Sequence, residues 1–418
     1  MENMNILLVN HYAGSVRHGM EFRPYYLARE WVRLGHRVTI VAASESHLRR
    51  QVPTMRGRAR MLEHIDGINY LWLATPPYHG NGAARVRNML AFVLRLWRCA
   101  SHLAATLRPD AVIASSTYPL DIWPARRIAR LARARLLYEV HDLWPLSPME
   151  LGGHSPRHPF IALLQAAEDA ACRHADAIVS ILPRVRAHLE AHGMAPHKLH
   201  LVPNGIDPGE WQAEPEPLPG PLAATLDALH AAGRLVVGYA GTHGVANALD
   251  TLLAAADRLR GGPVAFVLVG SGPEKPALAR QAAALELDNV HFFDAIAKPQ
   301  VPALLARFDV AYIGWQRQPL YRFGISPNKL IDYMMAGRPV LHAVEAGNDP
   351  VAEAGCGFTV APEDPRAVAD GILALHALGP ARRAALGRRG RTHALAHYTY
   401  PVLGRRFLDA LAGDTRHG

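Results

Sequence analysis

FGISPNKLIDYMMAGRPV, residues 323–340, is the stretch from which the rest of this chain can be read. Small residues (Gly324, Ser326) open into an amphipathic helix, with Pro327 suited to a first helical turn, where its missing N–H costs nothing. Gly337 stops the helix, and Pro339 leads into an apolar strand over 339–344. The first amides of a helix have no intrahelical acceptor and carry partial positive charge. With Lys329 one turn in, they form an anion pocket. Asp332 follows three residues later on nearly the same face. A pocket for a diphosphate, with an acid placed to accept hydrogen bonds from a ribose, suits a nucleotide-sugar donor. The same pattern also describes an ordinary capped helix with a solvated aspartate. Composition favours the anion pocket: of 45 basic residues only four are lysines, at 198, 275, 298 and 329. Lysine is a compact charge with three donors, fitted to phosphate oxygens.

The length of 418 residues suits two domains of about 200. Half the residues are hydrophobic and 19% charged, enough apolar matter for large cores. Three separated cysteines argue against a disulfide framework and for a reducing compartment. MENMNILLVNHYAG has no basic leader, so no signal peptide is expected. No apolar run approaches the ~18 residues of a spanning helix. A soluble or peripheral protein is expected, cytoplasmic and at the inner face of the cell membrane.

The net charge of +9 is concentrated between Arg85 and Arg135, where ten arginines face two aspartates. Within that stretch, residues 86–107 are strongly apolar with helical spacing. Arg87, Arg95 and Arg98 fall within an arc of about 80°. A basic amphipathic helix over Arg85–Leu107 fits an anionic membrane surface, or a core helix whose arginines face water. Nucleic acid is not an expected partner, since no aromatic-interleaved basic stretch accompanies the charge.

Apolar runs at 5–10, 37–43, 110–115, 135–140 and 176–181 read as strands, with a helix at 22–34. A proline-rich stretch, 202–221, reads as a linker. The alternation restarts with strands at 235–240, 264–269, 290–293, 310–315, 339–344 and 358–361, separated by helices at 248–259, 274–287, 300–308 and 365–378. Near-continuous Val, Ile and Leu strands between helices indicate parallel sheets covered on both faces. The expected fold is α/β: two doubly wound Rossmann-like domains, 1–205 and 206–398, facing across a cleft. A terminal helix, within 399–418, is expected to return to the first. Ligands of such sheets bind at the carboxyl ends of the strands.

Four loops at those ends carry chemistry. HYAGS (11–15) holds Gly14 and Ser15, where backbone can approach a ligand. YEVHDLWP (138–145) clusters Glu139, His141 and Asp142. GYAGTHG (238–244) offers Gly241, Thr242 and His243, and VGSGPEK (269–275) offers Gly270, Ser271 and Gly272, as phosphate cradles. Neither has the dinucleotide GxGxxG spacing.

HDLWP at 141–145, VPNGID at 202–207, GSGPEK at 270–275, SPNKLIDYMMAGRPV at 326–340 and AGCG at 354–357 together resemble a family-4 retaining glycosyltransferase of the two-domain GT-B architecture. The likeness covers essentially the whole chain. GSxxxGMEFRPYYLAREW (14–31), with Glu21 and Arg23, and SPNK resemble the branch that adds amino sugars such as N-acetylfucosamine during O-antigen or capsule assembly.

The resemblance implies an active-site histidine at His141 near the donor sugar, with Asp142 beside it. It implies an acceptor side at Gly14, Ser15, Glu21, Arg23 and Glu139, and the ribose-binding second acid of an EX7E motif at Asp332. The donor would lie along Ile325, Ser326, Pro327 and Asn328. Two departures stand out. The first acid of EX7E falls on Gly324, and the Arg and Lys usual after the second domain's first glycine loop are replaced around Thr242 and Ala246. Lys329, with Arg322 or Arg317, would then supply the diphosphate's counter-charge. The co-substrate is expected to be a UDP-sugar and the acceptor lipid-linked or another glycan. No metal is expected, since no Asp-x-Asp pair or His/Cys ligand spacing is evident. Double displacement would need a carboxylate beneath the anomeric carbon, with Glu139 and Asp142 as candidates; the resemblance implies front-face substitution instead. A soluble acceptor, a nucleotide-sugar epimerase or phosphorylase, and a non-catalytic nucleotide-sugar-binding subunit remain open alternatives.

Overall fold

Strands of uninterrupted Val, Ile, Leu and Ala can be buried on both faces only if helices cover them. The computed structural model describes residues 3–413 and divides into two units, one running to Asn204 and resuming at Tyr400, the other Gly205–Thr399.

The first unit's sheet contains β1 (Asn5–Val9), β2 (Arg37–Ala43), β3 (Arg60–Ile65), β4 (Ile68–Leu73), β5 (Ala111–Ala114), β6 (Arg135–Val140), β7 (Ala177–Ser180) and β8 (Leu199–Leu201). Their order is β3-β4-β2-β1-β5-β6-β7-β8. Every pair is parallel except β3 and β4. Strand order reverses direction between β1 and β5, so a crevice opens at their carboxyl ends. The β3–β4 hairpin is absent from the sequence expectations. Its turn is Asp66-Gly67, both at positive φ (49° and 81°), a two-residue loop of the kind Asp-Gly favours. β3 alternates exposed and half-buried residues, as an edge strand does.

The second unit's sheet is wholly parallel, in the order β11-β10-β9-β12-β13-β14. These strands are β9 (Leu235–Ala240), β10 (Val264–Val269), β11 (Val290–Phe293), β12 (Val310–Gly314), β13 (Val340–Ala343) and β14 (Gly357–Val360). Here the reversal lies between β9 and β12. Gly238 within β9 makes room for Phe308, whose ring would lie 2.2 Å from a Cβ there.

Two expectations need correction. The stretch 202–221 is not a free spacer. Asp207 caps a short turn at Pro208–Trp211, Trp211 packs against the second unit's core, and a helix begins at Gly220. A 19-residue helix, Gly379–His397, also lies beyond the expected elements. Gly387 and Gly390 let it approach closely: a Cβ at Gly387 would sit 1.8 Å from the Gly337 carbonyl oxygen.

The Tyr400–Ala412 helix belongs to the first unit, where Leu403, Phe407, Leu408 and Leu411 join the core. Tyr400 stacks on Tyr26 at 4.7 Å, and Trp31 Nε1 donates to the Gly404 carbonyl at 3.1 Å. Residues 414–418 of the expected terminal segment lie outside the described residues.

Candidate functional site

Each unit gathers polar side chains at the carboxyl ends of its strands. In the second unit the loops after β9 and β10 lie back to back. A Cβ at Gly270 would fall 1.8 Å from Gly241 O, and one at Gly272 would fall 2.3 Å from His243 O. His243 N donates to Ser271 O at 2.9 Å and Glu274 N to His243 O at 3.0 Å, locking the loops together.

Lys329 reaches this junction. Its Nζ donates to Tyr239 Oη at 2.7 Å and Asn247 Oδ1 at 3.1 Å, and lies 4.1 Å from the centre of the Tyr239 ring. Gly241 leaves it room, since a Cβ there would lie 2.7 Å from Lys329 Cε. Tyr239 Oη and Asn247 Nδ2 both donate to Thr242 O, so loop and lysine are held as one piece. The resulting cavity of about 490 Å³ is lined by Gly241, Thr242, Gly270, Ser271, Lys329 and Asp332, with Ile296 and Val301 at its apolar side.

Burial pulls the Lys329 ammonium down to about 7, against an opposing pull from Asp332. Burial likewise pushes the Asp332 carboxyl up to about 7, with Lys298 acting against it. A half-buried lysine poised near neutrality gains charge when an anion arrives beside it.

Several expected donor residues take other parts. Pro327 is the N-cap in extended conformation, so the Asn328–Met335 helix begins after it and Lys329 is its second residue rather than one turn in. The Ile325 amide donates to Asn348 Oδ1 at 2.7 Å, and Asn348 Nδ2 returns a bond to Ile325 O, which pins the loop ahead of Ser326. His243 is fully buried, and neither ring nitrogen has a hydrogen-bond partner. Burial, with Lys275 and Lys329 nearby, lowers it to about 4 and keeps it neutral. It and Gly272 shape the loops without lining the cavity. Arg322 donates to Pro319 O and lies 4.4 Å from the Phe323 ring. With Arg317 it lines a different cavity of about 670 Å³, beside Glu345 and Gly347. These two arginines thus line a different cavity from the one that holds Lys329.

The first unit's cluster sits at its strand-order reversal. Asn10 follows β1, Ser115 follows β5 and His141 follows β6. His141 Nε2 is 3.0 Å from Ser115 Oγ and 3.3 Å from Glu139 Oε2. Ser115 Oγ donates to Glu139 Oε2 at 2.6 Å, and Asn10 Nδ2 donates to Ser115 O at 2.6 Å. Arg23 Nε donates to Glu139 Oε1 at 2.9 Å, both side chains being buried. The rest of its guanidinium donates to the carbonyls of Val202 and Pro203. Burial alone would raise the Glu139 carboxyl, but His141, Arg23 and the Ser115 hydroxyl hold it down at about 2. Both Glu139 carboxylate oxygens are thus engaged, Oε1 by Arg23 and Oε2 by Ser115 and His141. Asp142 is occupied by its own turn, accepting from Leu143 N (2.8 Å), Trp144 Nε1 (3.2 Å) and Ser147 Oγ (2.5 Å).

On the expected acceptor side, Gly14 N donates to Glu21 O at 2.8 Å, and a Cβ at Gly14 would lie 1.9 Å from Gly19 O. Ser15 is buried with its hydroxyl 2.9 Å from His18 Nδ1. Glu21 Oε1 accepts from Arg23 N at 3.4 Å. These residues fold the loop rather than present side chains. Asn10 and Ser115 lie outside the expected set. Their only signal is position, a small polar residue closing an apolar strand.

The arginine-rich helix spans Ala83–Leu107. Alongside exposed Arg87 and Arg98 it exposes Leu90 (42%), Leu94 (48%) and Trp97 (41%). Together with Trp123, Arg126, Arg127, Arg130 and Leu131 of the Ile122–Ala132 helix, they border a groove of about 1130 Å³. Arg127 lies 4.8 Å from the Trp97 ring centre. Among the described residues no helix is long and apolar enough to cross a membrane. One ligand-type spacing was overlooked in the sequence: His188 and His192, four apart, meet Glu168, with one ligand atom from each lying within 4.8 Å of the others.

Residues 18–205 match the glycosyl transferase 4-like domain and residues 234–377 match glycosyl transferases group 1. A colanic acid biosynthesis glycosyl transferase, WcaI, of Escherichia coli K12 is 25% identical over 241 residues, 57% of this chain; the match spans only 58% of that protein. Sucrose-phosphate synthase from Thermosynechococcus elongatus has the same fold, with a TM-score of 0.71, 17% identity and 97% of each chain covered. So does Anabaena HepE, solved with UDP, with a TM-score of 0.67, 17% identity, and 98% of this chain and 100% of that one covered. The chain thus has the GT-B fold, its first part matching the glycosyl transferase 4-like model and its second the glycosyl transferases group 1 model.

Proposed function

We propose that this protein is a retaining glycosyltransferase that moves a sugar from a UDP-sugar to a lipid-linked acceptor in surface polysaccharide synthesis. The sugar in this reading is an N-acetylated amino sugar. The observation that carries the reading is the Lys329 cavity: a half-buried ammonium and two glycine loops converge at the carboxyl ends of β9 and β10. The colanic acid name of the E. coli relative and the UDP held by the Anabaena structure support the polysaccharide setting and the donor class.

Breaking the sugar–phosphate bond moves negative charge onto the leaving diphosphate. Lys329 and the amides of Thr242 and Ser271 are the groups that would receive it, the Gly241 and Gly270 amides being spent on Val269 O and Phe293 O, with Asp332 and Asn328 toward the ribose. Fixed donors aimed at developing charge are the largest catalytic contribution in many enzymes. His141, oriented by Glu139 and Ser115, is the first unit's contribution to the transfer step in this reading. Substitution proceeds on one face, the acceptor's proton passing to the departing phosphate oxygen, and no metal takes part. The groove between the Ala83–Leu107 and Ile122–Ala132 helices rests on the anionic inner face of the cell membrane, leaving the enzyme peripheral and cytoplasmic.

The deciding experiment is Lys329→Ala assayed against wild type for UDP binding and for turnover of a UDP-sugar. Loss of UDP affinity together with a fall in kcat/KM supports the reading. Unchanged affinity and turnover in a folded variant would refute it.

A further inference from the structure

The Pro159–His174 and Arg186–Ala191 helices of the first unit meet at a cluster that the proposed transfer chemistry leaves unused. Glu168 is buried, 1% exposed, with Oε1 2.9 Å from His188 Nε2. One turn on, His192 Nδ1 lies 2.9 Å from Asp169 Oδ1, and the two imidazole centroids are 4.6 Å apart. Gln165 places its amide nitrogen in the middle, 2.9 Å from each of Glu168 Oε2, Asp169 Oδ1 and His192 Nδ1.

Protons do not distribute well over that arrangement. An amide nitrogen has two hydrogens, and a neutral imidazole carries one proton on one of its two nitrogens. With His192 Nδ1 bare, the ring faces Asp169 lone pair against lone pair. With Nδ1 protonated, the ring faces the Gln165 amide donor against donor. A cation in the same space attracts the carboxylate oxygens and the bare nitrogen alike.

We propose that Glu168, His188 and His192 bind one divalent transition-metal ion of the zinc type. Each supplies one ligand atom, and the three lie within 4.8 Å of one another. Ligands about 2.0–2.2 Å from zinc stand roughly 3–3.5 Å apart, so small side-chain rotations close the site. Two imidazoles and one carboxylate suit zinc, cobalt or nickel rather than magnesium or calcium, which favour all-oxygen shells. Asp169 Oδ1 stands beside the same His192 nitrogen, at 2.9 Å, and adds negative charge next to the ion. Gln165 turns aside on binding. The ion joins one helix to the other and takes no part in sugar transfer.

The test is equilibrium dialysis of the chelator-treated full-length protein against ZnCl2, with elemental analysis and thermal melting. One equivalent bound, a raised Tm, and loss of both in His188→Ala/His192→Ala are expected. The double variant's far-UV circular dichroism establishes that it is folded. The chain has 23 histidines, so surface binding is separated by the same comparison. Failure of the wild type to bind an equivalent, or equal zinc in the folded double variant, overturns the site.

Discussion

Lys329 is held by two neutral partners, Tyr239 and Asn247, at a cavity lined by the Gly241–Thr242 and Gly270–Ser271 loops. Replacing it with alanine removes the ammonium and also the cost of burying it. Lys329→Ala is therefore expected to lower kcat/KM by about 10²–10³ while leaving Tm unchanged or slightly raised. Steady-state kinetics and a thermal melt check both parts. The ammonium titrates near 7 in the free protein, and a bound diphosphate raises that value because the charged form gains a partner. Affinity is then full below about pH 7 and falls as pH rises from the free towards the bound pKa. Titration calorimetry with UDP-N-acetylglucosamine, whose diphosphate diester does not titrate near neutrality, should show this fall and proton uptake on binding. A flat pH profile would contradict it. At the other cluster, Ser115→Ala removes one bond to Glu139 and one neighbour of His141, so kcat should fall with little change in donor KM. Lys329 and His141 are legible in the sequence because each sits in a dense, recognisable run. Ser115 and Asn10 are not, because a contact across 105 residues follows from strand order rather than from any local pattern.

Helices and strands were legible where the apolar period was clean. The strands of the second sheet are almost wholly buried from β9 to β10 and through β12 and β13, so their sequence reads as unbroken apolar runs. The Gly379–His397 helix was not legible, since its many arginines and its glycines blur any face. Its glycines nonetheless set the packing. Gly387→Val would drive a side chain into the Gly337 backbone, and a cost of about 1–3 kcal/mol or more, seen as a lowered Tm, is expected. The Asp66-Gly67 hairpin, by contrast, carried a readable signal that the alternation of strands and helices overshadowed. The Ala83–Leu107 helix shows the limit of periodicity in another way. Its arginines were placed correctly on a polar arc, but Leu90, Leu94 and Trp97 lie outside the core and face water. Leu90→Glu with Leu94→Glu should therefore fold normally yet abolish flotation on vesicles containing anionic phospholipid. Flotation equal to wild type would leave the groove without a membrane role.

At the scale of the molecule, the chain returns to its first unit for its last helix. Leu403, Phe407, Leu408 and Leu411 are each at most 1% exposed there, and burying such side chains stabilises by about 1.5–3 kcal/mol each. Truncation before Tyr400 would remove most of a typical margin of about 5–15 kcal/mol, and an insoluble or much less stable product is expected in expression and melting trials. The outgoing passage has its own anchor in Arg23, whose guanidinium grips the carbonyls of Val202 and Pro203 while its Nε meets Glu139. Anyone building chimaeras by grafting a foreign C-terminal half keeps that anchor if the seam is cut at 204/205, because Val202 and Pro203 then stay with the recipient half. A seam cut before Val202 hands the course of those two carbonyls to the foreign chain, and the graft loosens the setting of His141 although Arg23 and Glu139 are unaltered.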